Sequence, residues 1–367
     1  MIKLPNTDKN VVRARGYNMK YIVNLNQPFN KAIEDDLVNS NIEIEFVSNV
    51  LPYIICIADS SSRFCNKDYI NSVDKERIGS YQNSEFTETF IINPRISKSA
   101  LIDSSLIGWG GTKIFVLDSG VDKNKVHVTD VKDFVGTGIL DRKNHGTFVT
   151  KIIKHFARGA NIYIGKIGEV DPSESALLQA IEWAHSSGAD VINISSMFAK
   201  EDKYGNFINC DGSCNLCKLI DFVSGDGMTV VVAAGNQNQV ENSIYCPATA
   251  REAVTVAAIS EDSSRLAEYS SKGLIGGNKP NLLAPGDVSI DGIRKCGTSF
   301  AAPIVSGILA AITSKFSTSQ EALEVIYKTA TDLKLPSHEQ GKGLIDVKRI
   351  VEVISNESID IKRQGHE

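Results

Sequence analysis

The sequence predicts an α/β protein, a parallel sheet with helices on both faces, preceded by a small ferredoxin-like α+β unit. Three observations carry this expectation. From about Leu101, continuous apolar runs rich in Val and Ile recur between helical patterns: "KIFVLD", "NIYIGKI", "DVINIS", "TVVVAAG" and "AVTVAA". Runs of that kind suit strands covered on both faces, and their alternation with helices suits a parallel sheet. Before Leu101 the order of short elements is different and reads βαββαβ, a split ferredoxin-like unit. The length, 367 residues with 42% hydrophobic and 23% charged, allows a large core plus a smaller second one.

The elements follow in order. "YIVNL" reads as a strand, "NKAIEDDLVNS" as a short amphipathic helix, "IEIEFV" as an alternating strand and "YIICIA" as a buried one. "NKDYINSVDKERI" has a helical pattern, and "FTETFII" alternates again. The first domain is therefore placed at residues 1–92, with a polar, proline-containing linker at 93–100. The main domain is placed at 101–355 and a polar, loose tail at 356–367. One complete strand-helix unit is visible in "DPSESALLQAIEWAHSSGADVINIS". Asp171 or Ser173 can cap its helix, Ala176, Ala180, Ile181 and Ala184 form the inner face, and Gly188 ends it.

Charge and cysteine content narrow the function classes. Net charge is -5, from 39 Lys+Arg against 44 Asp+Glu, and no basic run is long enough to form a phosphate-binding stripe. A nucleic-acid partner is not expected. The start holds no apolar stretch of signal-peptide length, and no later segment is long enough to span a bilayer, so a cytoplasmic protein without a membrane partner is expected. Seven cysteines, an odd number, fit a reducing compartment.

Open α/β sheets bind ligands at the carboxyl ends of their strands. Asp118 follows "KIFVL" there, His145 stands in "NHGTFVTKII", Asn236 follows "VVVAAG", and Ser299 lies in "KCGTSFAAPIVSG". Each alone has a plain structural reading: a turn or cap residue for Asp, Asn and Ser, a satisfied side chain for His. Ser299 in particular could be a helix cap. Its small neighbours could equally leave room for a substrate beside a helix terminus that favours negative charge.

The segments "VLDSG", "HGTFV", "AAGN" and "GTSFAAPIVSG" closely resemble those of the subtilisin-like serine proteases, in the Asp, His, Ser order of that family. "VINIS", "YCPATAREAVTVAAIS", "YSSKG", "KPNLLAPG" and "GKGLIDV" extend the resemblance over roughly residues 100 to 350. It implies a serine endopeptidase acting on a peptide or protein, with no required cofactor. Ser299 would be the nucleophile, His145 the general base, Asp118 its orienting carboxylate and Asn236 the oxyanion donor. Ser195, Ser196, Met197, Ala234 and Gly235 would line the substrate groove. A related family replaces the histidine by a carboxylate and the oxyanion Asn by Asp; "NHGT" and "AAGN" speak against it. A catalytically silent peptide-binding module of the same fold is the alternative from another class.

Three departures from the family pattern stand out. Phe148 replaces a second histidine three residues after His145. The run "HGTFVTKIIKHFARGANIYIGKI" lacks the loop that carries a strong calcium site in secreted members, so no calcium is expected there. "SSMFAK" replaces a glycine-rich substrate segment, with Met197 and Phe198 expected to reshape the pockets. That change, together with the cysteines clustered in "CDGSCNLC", favours a dedicated processing protease over a broad degradative one. Pro303 is expected to fall early enough in its helix that its missing N–H costs little.

Two further features remain. "CDGSCNLC" brings together Cys210, Cys214 and Cys217, which suit a structural zinc site with Cys246 of "YCPAT" as fourth ligand. A local disulfide or buried thiols are the alternatives. Cys296, three residues before Ser299, reads as a small buried residue or a redox liability. The family resemblance implies that residues 1–92 form a propeptide acting as an intramolecular inhibitor, cut by Ser299 between residues 80 and 100. An unrelated ferredoxin-like domain is the competing reading.

Overall fold

The computed structural model describes residues 18–81, 110–201, 207–260, 262–290 and 292–364. It divides into two units, residues 1–76 and 77–367. This division precedes the boundary at 92 read from the sequence; the linker 93–100 and the segment "FTETFII" lie outside the described residues.

The first unit contains β1 (Met19–Leu25), α1 (Lys31–Asn39), β2 (Glu43–Val47), β3 (Tyr53–Ala58) and β4 (Ile70–Lys75). The strands make one antiparallel sheet in the order β2-β3-β1-β4, the ferredoxin-like order. Asn30 caps α1 by accepting the Ile33 N–H at 3.1 Å, and Ile33 and Leu37 turn inward. They meet Tyr21, Val23, Ile54 and Cys56 in the unit's core. The second helix expected over "NKDYINSVDKERI" is not formed. A single 3₁₀ turn, Ser61–Phe64, precedes it, Asn66 takes a left-handed φ of 61°, and β4 occupies the rest. The misleading signal has a physical source. The register with β1 slips between Asn24 and Leu25, so Ile70 and Val73 both face inward with two exposed residues between them. A bulge in a strand imitates the helical spacing of three.

The second unit runs β5 (Ser80–Tyr81), β6 (Gly110–Asp118), β7 (Asp130–Asp133), α2 (His145–Phe156), β8 (Gly159–Lys166), α3 (Glu174–Ser186), β9 (Val191–Ile194) and β10 (Ser196–Met197). It continues with β11 (Lys200–Glu201), β12 (Phe207–Ile208), α4 (Asn215–Gly225), β13 (Thr229–Ala233), β14 (Val254–Ile259), β15 (Leu282–Pro285), β16 (Asp287–Ile290) and β17 (Ile293–Cys296). α5 (Thr298–Thr313), α6 (Ser319–Thr329), α7 (Ser337–Gln340) and α8 (Val347–Gln364) close it. Seven strands form an all-parallel sheet in the order β15-β14-β13-β9-β6-β8-β7. Every residue of β9, β13 and β14 is buried, which requires cover on both faces. Helices supply it. α5 is buried along its whole length and packs against six of the seven sheet strands, β6, β8, β9, β13, β14 and β15, and against α2, while α3 pairs with α4. Ser173, one of two candidate caps for α3, accepts the Ala176 N–H at 3.1 Å. The segment read as a tail from residue 356 continues α8 as far as Gln364. Among the described residues no helix is long and apolar enough to cross a membrane.

Candidate active site

β6 marks the point where strand order reverses, with β8 and β7 on one side and β9, β13, β14 and β15 on the other. A crevice opens at the carboxyl end of such a strand, and Asp118 is the last residue of β6. His145 is the first residue of α2, and both side chains are fully buried. His145 Nδ1 lies 2.7 Å from Asp118 Oδ1, which also accepts the Ser119 N–H at 2.7 Å. A carboxylate only accepts, so Nδ1 carries the hydrogen and Nε2 is the basic nitrogen. The close approach depends on Gly146: a Cβ there would stand 2.4 Å from the Gly120 carbonyl oxygen and 3.1 Å from Asp118.

Asp141, unremarked in the sequence, anchors this helix start. It accepts the Thr147 N–H and hydroxyl, both at 2.7 Å, and the Ser119 hydroxyl at 2.8 Å. Ser119 Oγ in turn accepts the Gly146 N–H at 3.0 Å. An acid four residues before a helical histidine was the available signal, since carboxylates favour helix N-termini.

Ser299 is the second residue of α5, and Gly297 occupies the cap position, so the serine is not a helix cap. Its hydroxyl donates to the Ser195 carbonyl at 3.1 Å. Ser195 answers in kind, its hydroxyl donating to the Ser299 carbonyl at 3.1 Å. The second bond corrects the expectation for Pro303. That proline sits inside the helix, beyond the first turn, and its missing N–H would have bonded the Ser299 carbonyl four residues earlier. Ser195 takes that place, held by Asn193, whose Nδ2 donates to Ser195 Oγ at 3.1 Å and whose Oδ1 accepts from Ser306 at 2.8 Å. Phe300, next to the serine, lies 5.7 Å from the His145 ring and 5.2 Å from Phe148, between centroids. Phe148 is thus a packing residue beneath the histidine.

Asn236 follows β13 by three residues. Its Oδ1 accepts both the N–H and the hydroxyl of Thr298 at 3.0 Å, which fixes the orientation of its amide beside the start of α5. The Thr298 hydroxyl accepts the Gly235 N–H at 3.1 Å. Ala234 is buried, with its N–H on the Val256 carbonyl at 2.9 Å. Ala234 and Gly235 therefore serve first as the mount for Asn236.

Ser196 and Met197 form β10, which pairs antiparallel with β5: Ser196 opposite Tyr81 and Met197 opposite Ser80. Gly79 permits the approach, because a Cβ there would lie 2.5 Å from the Met197 carbonyl oxygen. Met197 and Phe198 are both buried, and Phe198 donates its N–H to the Cys246 carbonyl at 2.7 Å. β10 thus already takes an extended segment as a partner strand.

None of the seven cysteines is in a disulfide. Cys210, Cys214, Cys217 and Cys246 converge, with all four sulfurs within 4.8 Å of one another. Cys296 is buried on β17, and burial pushes its thiol up to about 11, which leaves it a poor nucleophile at neutral pH. Chemically, the site offers a buried carboxylate–imidazole pair, a serine hydroxyl at a helix N-terminus, an oriented amide and a strand edge for a peptide.

The subtilase family model matches residues 110–343. Subtilisin DY of Bacillus licheniformis is 30% identical over 265 residues, covering 64% of this chain and 89% of that protein. Subtilisin E of Bacillus subtilis is 30% identical over 263 residues, and the match spans 64% of each. Two crystal structures of the epidermin leader peptide processing serine protease from Staphylococcus aureus superpose with TM-scores of 0.73 and 0.72 at 21% identity. They cover 92% of this chain and 99% and 98% of theirs, a likeness of fold.

Proposed function

The chain belongs to the subtilase family of serine endopeptidases, and we propose that it hydrolyses peptide bonds with Ser299, His145 and Asp118 as its catalytic residues. The observation that carries this is the fully buried Asp118–His145 hydrogen bond, 2.7 Å long, in the tautomer that leaves Nε2 basic. Ser299 Oγ would turn from the Ser195 carbonyl, give its proton to Nε2 and bond to the scissile carbonyl carbon. Negative charge then develops on the carbonyl oxygen. The Asn236 amide and the N-terminus of α5 would stabilise it, a donor of this kind contributing about 3–4 kcal/mol. His145 next delivers its proton to the leaving nitrogen as the C–N bond breaks, and water releases the acyl group by the reverse path.

Ser195, Ser196 and Met197 would hold the substrate as an added antiparallel strand. The pairing of β10 with Ser80–Tyr81 supports this reading, and it supports residues 1–92 as an intramolecular inhibitor whose exit segment lies along the substrate strand. Self-cleavage between residues 80 and 100 follows from the same reading. The structurally similar Staphylococcus aureus enzyme processes a leader peptide, and a peptide precursor is the substrate class proposed here. Seven cysteines outside any disulfide support a reducing, cytoplasmic setting.

A serine-directed fluorophosphonate tests the chemistry, because only an activated hydroxyl reacts. Wild type should be labelled at Ser299, and mass spectrometry should find the chain shortened within residues 80–100. Ser299→Ala should stay unlabelled and full length. An unlabelled wild type would remove the catalytic reading, and equal truncation of both chains would remove self-processing.

A further inference from the structure

The catalytic reading leaves the four clustered cysteines unused. They come from separate parts of the chain: Cys210 follows β12, Cys214 caps α4, Cys217 lies in its first turn, and Cys246 sits between β13 and β14. Three of their sulfur separations are 3.3 Å (Cys214 to Cys246), 3.7 Å (Cys217 to Cys246) and 3.9 Å (Cys210 to Cys217), and all lie within 4.8 Å. A tetrahedron of thiolates about 2.3 Å from one zinc ion has edges of about 3.8 Å. The observed separations straddle that value and exceed the ~2.05 Å of a disulfide bond. A four-iron cluster would put each thiolate on a different iron and spread the sulfurs further than the ligands of a single ion. Sulfur ligands in this number exclude the hard cations that take oxygen, calcium among them.

The surroundings carry a second, independent sign. Arg77 is nearly buried, and its Nη2 lies 3.5 Å from the sulfurs of both Cys214 and Cys246. Glu174 already satisfies its other side, accepting from Nε at 2.9 Å and from Nη2. Neutral thiols offer a guanidinium little; a zinc ion with four thiolates carries two net negative charges and offers its sulfur-facing N–H groups an anionic acceptor in addition to Glu174. The Cys217 sulfur also contacts the Thr249 hydroxyl at 3.5 Å. Donors of this kind around metal-bound sulfur orient the ligands and tune the ion's affinity.

We propose that Cys210, Cys214, Cys217 and Cys246 bind one zinc ion as a closed tetrathiolate site that staples the two loops beside β10 and gives Arg77 a second anionic partner beside Glu174. Its role is structural, since four protein ligands leave no open position for water. The staple acts near the substrate strand because Cys246 pairs through its backbone with Phe198, directly after β10. Arg77 stands three residues before Ser80, so the same charge fastens the start of the segment that lies on that strand.

The test is elemental analysis of the full-length chain, kept uncut by Ser299→Ala, purified without added metal and again after cobalt replacement. One zinc per chain is expected. The cobalt form should show sulfur-to-metal charge transfer in the near ultraviolet and the intense visible bands of a tetrahedral tetrathiolate. Cys214→Ser should lower zinc occupancy at least about tenfold, and Arg77→Gln should weaken zinc about 10–100-fold in competition with a chromophoric chelator. Cys65→Ser, an exposed cysteine outside the cluster, should keep full occupancy. Because a cluster variant can fail to fold, the cobalt spectrum of the uncut chain with all seven cysteines intact decides independently. A metal-free chain with two disulfides by mass spectrometry, iron in place of zinc, or a cobalt spectrum without sulfur ligation would each overturn the proposal.

Discussion

The surroundings of Ser299 and the cysteine cluster solve the same problem by opposite means. Around Ser299, residues from β6, α2, β9 and α5 are tied together by hydrogen bonds between buried polar groups. Named acceptors have their donors within the protein: Asp118 Oδ1 with His145 and Ser119, Asn236 Oδ1 with Thr298, the Ser299 carbonyl with Ser195. Such a network holds its geometry without any added component. The cysteine cluster brings together four weak donors and one guanidinium, and sulfur contacts of 3.3–3.9 Å between thiols fix little by themselves. One region is organised by wiring, the other by a shared centre.

Four experiments break or sharpen that contrast. Asp118→Asn attacks the wiring at its core, because an amide donates where the carboxylate accepts and so favours the wrong imidazole tautomer. Turnover should fall about 10⁴-fold with KM little changed, the size known for a triad aspartate made into an amide. A loss below tenfold would remove Asp118 from the mechanism. Arg77→Gln attacks the other region and leaves Glu174 buried without its partner. Unfolding by guanidinium at fixed zinc should report a loss of about 3–5 kcal/mol, and adding Glu174→Gln should restore most of it. Ser195→Ala removes the donor to the carbonyl that Pro303 leaves without its helical N–H. A loss of about 1–3 kcal/mol is expected in urea unfolding.

The last test concerns a buried amine that feels the cysteine cluster through Cys217. Lys279 is half-buried as a residue, yet its amine is enclosed against the Ala253 carbonyl and Asn281 Oδ1, and burial lowers it to about 8. Below that pH both folded and unfolded chains carry the proton. From about 8 to the ordinary lysine value the unfolded chain binds more protons, so stability should rise with pH, by at most about 1.4 kcal/mol per unit. Lys279→Met should flatten this stretch of the profile.

The fold of the second unit was legible because its strands are buried on both faces and so read as unbroken apolar runs, as in Thr229–Ala233. The positions of Asp118, His145, Asn236 and Ser299 were legible because each stands where a strand ends or a helix begins. The 3₁₀ turn and β4 of the first unit were not, since a bulge opposite Asn24 gave a strand the spacing of a helix. The task of Pro303 was equally hidden. A missing N–H four residues after a serine has meaning only once Ser195, 104 positions away, is found bonding the carbonyl it left open.

Residues 195 and 299 clasp each other by two bonds, and β10, the edge proposed to take a peptide, continues from that clasp. Under the proposed mechanism a lineage could exchange the bulk at 197 and 198, and with it the menu of sequences accepted, while the nucleophile stays moored. Selectivity and reactivity would then be separately heritable traits, joined at one pair of serines.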